Sequence, residues 1–321
     1  MTKRRWDSMI GIVIINYNTW EATIQCIDSI MEVCSVPFHI YVIDNHSPNE
    51  SLQQLNKKYT NSGSVTVIDS GRNGGYGFGL NCGIKVAILH GCDAVVASNN
   101  DIVYRSGAIE EMYRALKSSP EIVIAGAQQI SPTGERQLSA DKHNYSQWRL
   151  LLWHFPFIHR FNTRKKRNDR LLLQAEEVQE VAYPLGGCYM IDASILKNIK
   201  LYDENVFMYT EEFIIGIKLR KMLKRAVLCP KAIVVHHHGL TTGRDAAQCT
   251  MLSAWSRYYL CYRYTNTGAI GLFAHKSLYY ILTTMKCLFL SDYRKQGIAL
   301  FTVFQNKNIT KIGRSEGSIG K

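Results

Sequence analysis

The stretch Ile10–Asn18, IGIVIINYN, is a short β-branched run that closes abruptly on polar residues, and the pattern it begins decides the fold. A helical pattern covers Thr19–Val33. The alternation then repeats, with predicted strands at His39–Ile43, Val65–Ile68, Ala94–Ala97 and Ile122–Ala125. Predicted helices lie between them at Leu52–Tyr59, Gly77–Leu89 and Gly107–Lys117. Short β-branched segments alternating with longer helical ones are the signature of βαβ units, hence of an α/β fold around a parallel sheet. The basic start before Ile10 has only this short apolar run behind it, broken by Asn16 and Asn18, and no small-residue cleavage site. It reads as a first strand, not a signal peptide.

In an open sheet of this kind the ligand site lies outside the carboxyl ends of the strands. Those ends are polar here. The first strand runs into Asn16-Tyr17-Asn18, the second into Asp44-Asn45, the third into Gly71-Arg72-Asn73-Gly74-Gly75 and the fourth into Asn99-Asn100-Asp101. Four strand ends are thus placed to converge on one ligand.

A chain of 321 residues exceeds one average domain, and a large α/β domain with an appendage accounts for it. Its 46% hydrophobic and 20% charged residues support a substantial core and exclude general disorder. The net charge of +12 favours anionic partners. Its densest block is Arg160–Arg170, RFNTRKKRNDR. That block is a short loop with no helix-turn-helix or zinc-ligand spacing beside it, so no nucleic-acid partner is expected. The nine cysteines form no C-x-x-C and fall mostly in apolar segments, which suits reduced thiols packed as small hydrophobes.

Residues 131–180 interrupt the alternation with a Pro132-Thr133-Gly134 turn, Trp148, Trp153 and the basic block, and read as an insertion. From about residue 245 the pattern is helical. The apolar stretch Ala269–Leu290 carries His275, Lys276 and Lys286, so it reads as interfacial or packed and not as a clean membrane span. Together with 148–170 it suggests peripheral contact with anionic membrane, the alternative being a soluble helical appendage with a solvated basic face.

Three clusters carry chemistry. Asp101 ends a strand, where a divalent cation can bridge a carboxylate to a diphosphate, although Asn and Asp after a strand are also ordinary turn residues. Glu211-Glu212 opens the helical pattern FIIGIKLRKML, where the positive helix end keeps a carboxylate ionised and able to take a proton; acids are also simply common there. His236-His237-His238 ends a strand and offers imidazoles to a metal or a phosphate, with at most His236 and His238 on one side; a surface cluster is the other reading. The run Gly74–Gly79, GGYGFG, lacks G-x-G-x-x-G spacing and follows the third strand, so a turn that lets backbone approach a phosphate or sugar fits better than a dinucleotide fingerprint.

Taken in order, IVIINYN, IYVIDNHS, RNGGYGFGLNCGI, the Asn-Asn-Asp turn, PLGGCYMIDASIL, LYDENVFMYTEE and VVHHHGLTTG resemble glycosyltransferase family 2 of the GT-A type, in particular its bacterial rhamnosyltransferase-like members. The resemblance covers residues 10–243. It implies a GT-A nucleotide-diphospho-sugar transferase fold over 1–243, with a mostly parallel sheet flanked by helices, and a helical extension over 244–321. It further implies Asn16, Tyr17, Asp44, Arg72, Asn73, Gly74, Asn99 and Asn100 as donor-binding residues, with Tyr17 and Asp44 on the base. Asp101 and His236 would hold Mg2+ or Mn2+, a one-residue shift in register making the histidine His237. Glu212 matches the catalytic base and Glu211 its supporting acid. The expected reaction is inverting transfer from a nucleotide sugar to a glycan or lipid-diphosphate-linked acceptor, at the cytoplasmic face of the cell membrane. Two departures stand out: Asn99 replaces a first Asp, and Glu211-Glu212 replaces Glu-Asp, so the base falls on one glutamate or the other. A sugar nucleotidyltransferase would need a glycine-rich loop after the first strand, where this chain has NYNTWEA. A non-catalytic partner protein is the remaining alternative, and the retained Asp101 and glutamates argue against it.

Overall fold

In a computed structural model, which describes residues 9–143, 150, 163–196, 202–237, 246–296 and 299–304, strand β1 (Ile10–Asn16) is buried along its whole length. It lies between β2 (Phe38–Asp44) and β4 (Ala94–Asn99), and β3 (Val65–Asp69) adds beyond β2; all four are parallel. The register sets Asn16 opposite Asp44, and Asp44 opposite Asp69, so the polar strand ends form one row. Helices α1 (Trp20–Val33), α2 (Ser51–Tyr59) and α3 (Tyr76–Leu89) make the crossovers. Each expected element of this half is present, its ends moved by a residue or two.

The second half departs from simple alternation. After β4 come β5 (Ile102–Tyr104), α4 (Ala108–Leu116), β6 (Ile122–Ile130) and β7 (Ala140–Asp141). Next in the chain are α5 (Thr163–Leu173), β8 (Gln179–Val181), β9 (Tyr183–Pro184), β10 (Cys188–Asp192), α6 (Ala193–Leu196), α7 (Glu211–Lys221) and β11 (Arg225–His236). Among the described residues the main sheet has nine strands, ordered β3-β2-β1-β4-β10-β6-β11-β5 with β8 on β11. Strand β10 runs antiparallel between β4 and β6, while β11 is parallel to β6. Because β10 runs backwards, its first residues and the turn before it sit at the same edge as the ends of β1, β2 and β4.

Strand β6 runs five residues past the expected Ala125. Its polar continuation is buried because the side chains have partners: Gln128 Nε2 donates to the Gln137 carbonyl at 2.8 Å and the Gln129 N–H to Ser139 Oγ at 2.8 Å. Helix α7 stops at Lys221 instead of the expected Leu223, whose φ of 55° no α-helix continues. The described parts of 131–180 are knitted to the rest, β7 pairing with β9 and β8 with β11. Trp148, Trp153, most of the stretch before Thr163, and His238 with the Gly-Leu-Thr-Thr-Gly after it lie outside the described residues.

Successive residues of β1 feed opposite cores. Ile12 and Ile14 pack with α1 and α4, whereas Val13 and Ile15 pack with α3. Beyond residue 245 the chain forms α8 (Ala246–Tyr264), α9 (Ala269–Phe289), α10 (Ser291–Gln296) and α11 (Ala299–Thr302), held by a core of Met251, Tyr279, Tyr293 and Leu300. Among the described residues no helix is long and apolar enough to cross a membrane.

Candidate functional site

The strand-end row is built from behind by buried polar side chains. Asn16 Nδ2 donates to Asp44 Oδ2 at 2.6 Å, and Thr23 Oγ1 donates to Asn16 Oδ1 at 2.7 Å. Asp44 also accepts from the Ser47 N–H and hydroxyl, at 2.7 and 2.8 Å. Asn100 Nδ2 reaches Thr19 Oγ1 at 2.7 Å and Thr23 Oγ1 at 2.9 Å. Satisfied buried networks of this sort rigidify what they hold, and here they hold the ends of β1, β2 and β4 together.

In front of this network is a cavity of about 350 Å³, within the size range of small-molecule sites. Its walls are Ile15, Tyr17 and Asn45 from β1 and β2, Asn73, Gly75 and Tyr76 from the glycine-rich turn, Asn99 and Asn100 from β4, Gly186, and Phe207–Glu212. Two segments far apart in sequence close it. The Tyr76 N–H donates to the Phe207 carbonyl at 2.9 Å, and a Cβ at Gly75, where φ is 91°, would overlap that oxygen. Only glycine allows the approach. The helical extension braces the same segment from outside: Ser256 Oγ donates to the Met208 carbonyl at 2.7 Å, and the Tyr259 and Tyr264 hydroxyls donate to Asp203 Oδ2 at 2.9 and 2.7 Å. Tyr209 and Thr210 both take left-handed backbone conformations, φ 71° and 68°. Consecutive non-glycine residues of this kind are strained and persist where surrounding contacts impose them.

That strained turn delivers Glu211 and Glu212 to the cavity at the start of α7. Burial, and then the neighbouring Glu212, hold the Glu211 carboxyl well above the usual carboxylate range. Burial also raises Glu212, but its own N–H and that of Gly186 donate to its carboxylate and oppose the shift. Two adjacent buried carboxyls do not both ionise readily, and N–H donors favour the charged form. Glu211 is thus held neutral the more strongly of the two, and Glu212, with the extra donor from Gly186, is the one that ionises first. Tyr76, kept protonated by burial with Tyr202 and Glu212 nearby, presents a hydroxyl that makes no hydrogen bond among the described residues.

Asp101 and His236, both buried, meet with His236 Nε2 at 3.2 Å from Asp101 Oδ1. The backbone ties them too, the His237 N–H donating to the Asp101 carbonyl at 2.9 Å. Gln129 orients the ring: its Nε2 donates to the Gly186 carbonyl at 3.0 Å, which turns Oε1 toward His236 Nδ1 at 2.7 Å. Nδ1 is then the proton donor, and in the neutral ring the Nε2 lone pair faces a carboxylate. A proton on Nε2 or a bound cation would each satisfy the pair. An oxygen and an imidazole nitrogen are a donor set for Mn2+ or Mg2+, provided phosphate oxygens and water complete the shell, as is usual for such ions at nucleotide sites. Among the described residues no group of three or more His, Cys, Asp and Glu side chains is arranged to hold a metal.

Of the residues expected from sequence, Tyr17, Asn73, Asn99, Asn100, Glu211 and Glu212 line the cavity. Asn16 and Asp44 lie behind it, their polar atoms turned to one another and to Ser47 and Thr23. Arg72 is exposed with its guanidinium 4.2 Å above the Phe78 ring, and Gly74 is packed against the same ring. Asp101 and His236 form their own pair beside Asn100. Asn45, one of the expected polar strand ends, is a wall residue as well, and the sequence does not single out Tyr76, Gly186 or Phe207–Thr210 for that place. Asn45 was signalled by its place directly after Asp44, whereas nothing local marks Tyr209-Thr210 as a left-handed turn.

The profile described as Glycosyl transferase family 2 matches residues 11–199, more than half of the chain. The chain is 25% identical over 290 residues to the N-acetylglucosaminyl-diphospho-decaprenol L-rhamnosyltransferase of Mycobacterium tuberculosis, covering 83% of this chain and 92% of that protein. Among solved structures, the mannosyltransferase PcManGT from Pyrobaculum calidifontis in complex with GDP-Man and Mn2+ superposes with a TM-score of 0.53 at 13% identity, over 94% of this chain and 89% of that one. GalNAc-T7 with UDP, GalNAc and Mn2+ superposes with a TM-score of 0.58 at 17% identity over 79% of this chain, which spans about half, 48%, of that longer structure. The superpositions show the GT-A fold. With the family match, they make this chain a glycosyltransferase, a member of glycosyltransferase family 2.

Proposed function

We propose that the enzyme transfers a sugar from a nucleotide-diphosphate donor, dTDP-rhamnose or a UDP-sugar, to a hydroxyl of a glycan or lipid-diphosphate-linked acceptor in surface polysaccharide synthesis, with inversion at the anomeric carbon. One observation carries this: the Glu212 carboxylate is held by its own N–H and that of Gly186 in a cavity that the polar strand ends also line. One positioned base suffices for direct transfer, whereas glycoside hydrolysis generally needs two flanking carboxyls. Glu212 takes the acceptor proton as the hydroxyl oxygen bonds to the anomeric carbon. The bond from that carbon to the diphosphate breaks on the opposite face, its electron pair leaving with the diphosphate. Glu211, kept neutral, leaves the site with one negative charge near the incoming hydroxyl.

Tyr17, Asn45, Asn73 and Asn99 contact the donor directly, with Arg72 at the rim, while Asn16, Asp44 and Asn100 fix their backbone. Asp101 and His236 would hold Mg2+ or Mn2+, and the bound ion would supply charge stabilisation to the departing diphosphate. Support for the donor and acceptor classes comes from the relatives: a rhamnosyltransferase named for a decaprenol-linked diphosphate, and enzymes seen with UDP or GDP-Man and Mn2+. A lipid-linked acceptor places the enzyme peripherally at the inner face of the cell membrane.

The test is a panel of nucleotide sugars with lipid-linked acceptor and Mn2+. Glu212→Gln lowers turnover by about 10²- to 10⁴-fold, Asp101→Ala abolishes the metal response, and the product anomer is inverted by NMR. Wild-type rates in either variant, or retention of configuration, refute the assignment.

A further inference from the structure

We propose that α9 is the membrane-seating element, lying in the plane of an anionic lipid surface with its outer face in the headgroup–acyl boundary. This rests on the peripheral-membrane reading of the enzyme and adds which surface makes the contact and in what orientation. Ile270, Phe273, Ile281, Met285, Leu288 and Phe289 are exposed by 83, 72, 57, 53, 67 and 79%. At roughly 100° per residue they fall in one strip along the helix, within about 80° either side of Ile281. The opposite face is spoken for: His275, Tyr279 and Thr283 are buried, the Tyr279 hydroxyl donating to the Leu300 carbonyl at 2.9 Å. The strip is about 30 Å long at 1.5 Å per residue, larger and more continuous than the scattered apolar side chains of an ordinary soluble surface.

Charge identifies the occupant. Between Ala246 and Ser291 there is no Asp or Glu, while Arg257, Arg263, Lys276 and Lys286 are present. Extending to Phe304 adds Arg294 and Lys295 against Asp292 alone. Lys276 and Lys286 lie on the packed side of α9, over the Tyr258 and Tyr293 rings, and the exposed cations beside the strip are at its ends: Arg263 just before α9, and Arg294 just after it, whose guanidinium donates to the Leu288 carbonyl at 3.1 Å. An apolar strip with exposed cations at both ends and no acid along it matches anionic lipid. A second copy of this chain would bring like charges together at the ends of the helix. Spanning is excluded for α9, which is not apolar enough to cross. The placement also serves the reaction. Helix α9 packs on α8 through His275 Nε2 and Cys261 Sγ, 3.2 Å apart, and α8 braces the Asp203–Thr210 segment that leads to the glutamates. A lipid-linked acceptor in the same bilayer is thereby brought to the side of the molecule that holds the base.

The experiment is flotation of the full chain with vesicles of phosphatidylcholine alone and of phosphatidylcholine mixed with phosphatidylglycerol. It compares wild type with Phe273→Gln/Ile281→Gln/Leu288→Gln, all on the outer strip. The wild type binds the mixed vesicles and releases at high salt, and the variant binds them at least about tenfold more weakly. An unchanged melting temperature and unchanged donor turnover on a water-soluble acceptor establish that the variant is folded. If wild type and variant bind the mixed vesicles equally, α9 is not the seat although the membrane reading stands. If the wild type binds neither vesicle, the membrane reading itself falls. If the wild type is a dimer and the variant a monomer without lipid, the strip is a self-association surface and the proposal is overturned.

Discussion

Replacing Gly186 by alanine asks whether the position of the Glu212 carboxylate matters. Gly186 does not have a left-handed φ, so alanine fits its backbone, and among the described residues the atoms near its new Cβ are Oε1 and Cδ of Glu212. The added methyl overlaps Oε1, and restoring ordinary van der Waals separation requires the carboxylate to retreat by about 1 Å. A displacement of that size at a reacting group costs on the order of 10²-fold in rate. Retreat also strains the N–H bond from Gly186 that favours the charged form. The pKa of Glu212, already raised by burial, then rises further. Because the base works only when ionised, the rate falls as pH drops through that pKa, and the acidic limb moves to higher pH in the variant. The assay is nucleoside diphosphate release against pH with an active donor–acceptor pair, beside a melting curve. Gly63→Ala, whose Cβ meets nothing within 4 Å, is the control. A Gly186→Ala enzyme with wild-type turnover and an unmoved acidic limb would refute the geometry assigned to the base.

Glu211→Gln tests the neutral partner through stability. The folded-state pKa of Glu211 lies above its unfolded value, so the wild type loses stability as pH rises from about 4.3 through that folded pKa. The Gln variant, neutral throughout, melts higher than wild type at pH 8 and no higher at pH 4. Each 1 kcal/mol relieved is worth about 2–4 °C, and equal melting temperatures at pH 8 contradict a strained buried acid. Gln129→Leu removes the acceptor that sets the His236 ring and weakens Mn2+ binding in the presence of nucleoside diphosphate by about 10- to 100-fold. Titration calorimetry reads this, and an unchanged affinity detaches Gln129 from the metal. Tyr259→Phe/Tyr264→Phe removes two donors from Asp203 and lowers stability by about 1–3 kcal/mol at neutral pH. Burial alone would raise Asp203, but the Asn205 N–H and these hydroxyls bring it below its ordinary value. Its contribution is present above the unfolded pKa and fades as pH falls through the folded one, so the deficit of the double variant shrinks in acid. A deficit that persists unchanged there assigns it to packing.

The elements of the first half were legible because each strand, from β1 to β4, is a β-branched run closed by polar residues, and period and punctuation agree. Legibility failed where burial and polarity part company. Gln128 and Gln129 look like the end of a strand, yet they continue β6 because their amides meet Ser139, Gln137 and Gly186. Strand β5, three residues long, is too short to show a period. At the site, the sheet rule brought the right segments together but left the direction of each side chain open. Asn16 and Asp44 carry the same strand-end signature as Asn99, and only their mutual hydrogen bond shows that they face inward as a scaffold. Gly186 reads as one more glycine in PLGGCYM until the fold sets Glu212 and Gln129 beside it.

That junction has a counterpart on the side of the helical extension. Glu212 takes its position from Gly186 on one side and from the left-handed turn at Tyr209-Thr210 on the other. The first is fixed by the sheet, through the bond of the Asn99 N–H to the Gly187 carbonyl at 2.7 Å. The second is not fixed by the sheet. Its imposed conformation is backed by Ser256 on the Met208 carbonyl, and by Trp255 Nε1 on the Asn205 carbonyl at 3.3 Å. A strained turn relaxes unless its surroundings hold it, so α8 helps to set where the Glu212 carboxylate points. The boundary at residue 243 that the family resemblance implies marks a change in pattern, while the hydrogen bonds that shape the turn before Glu211 run across it.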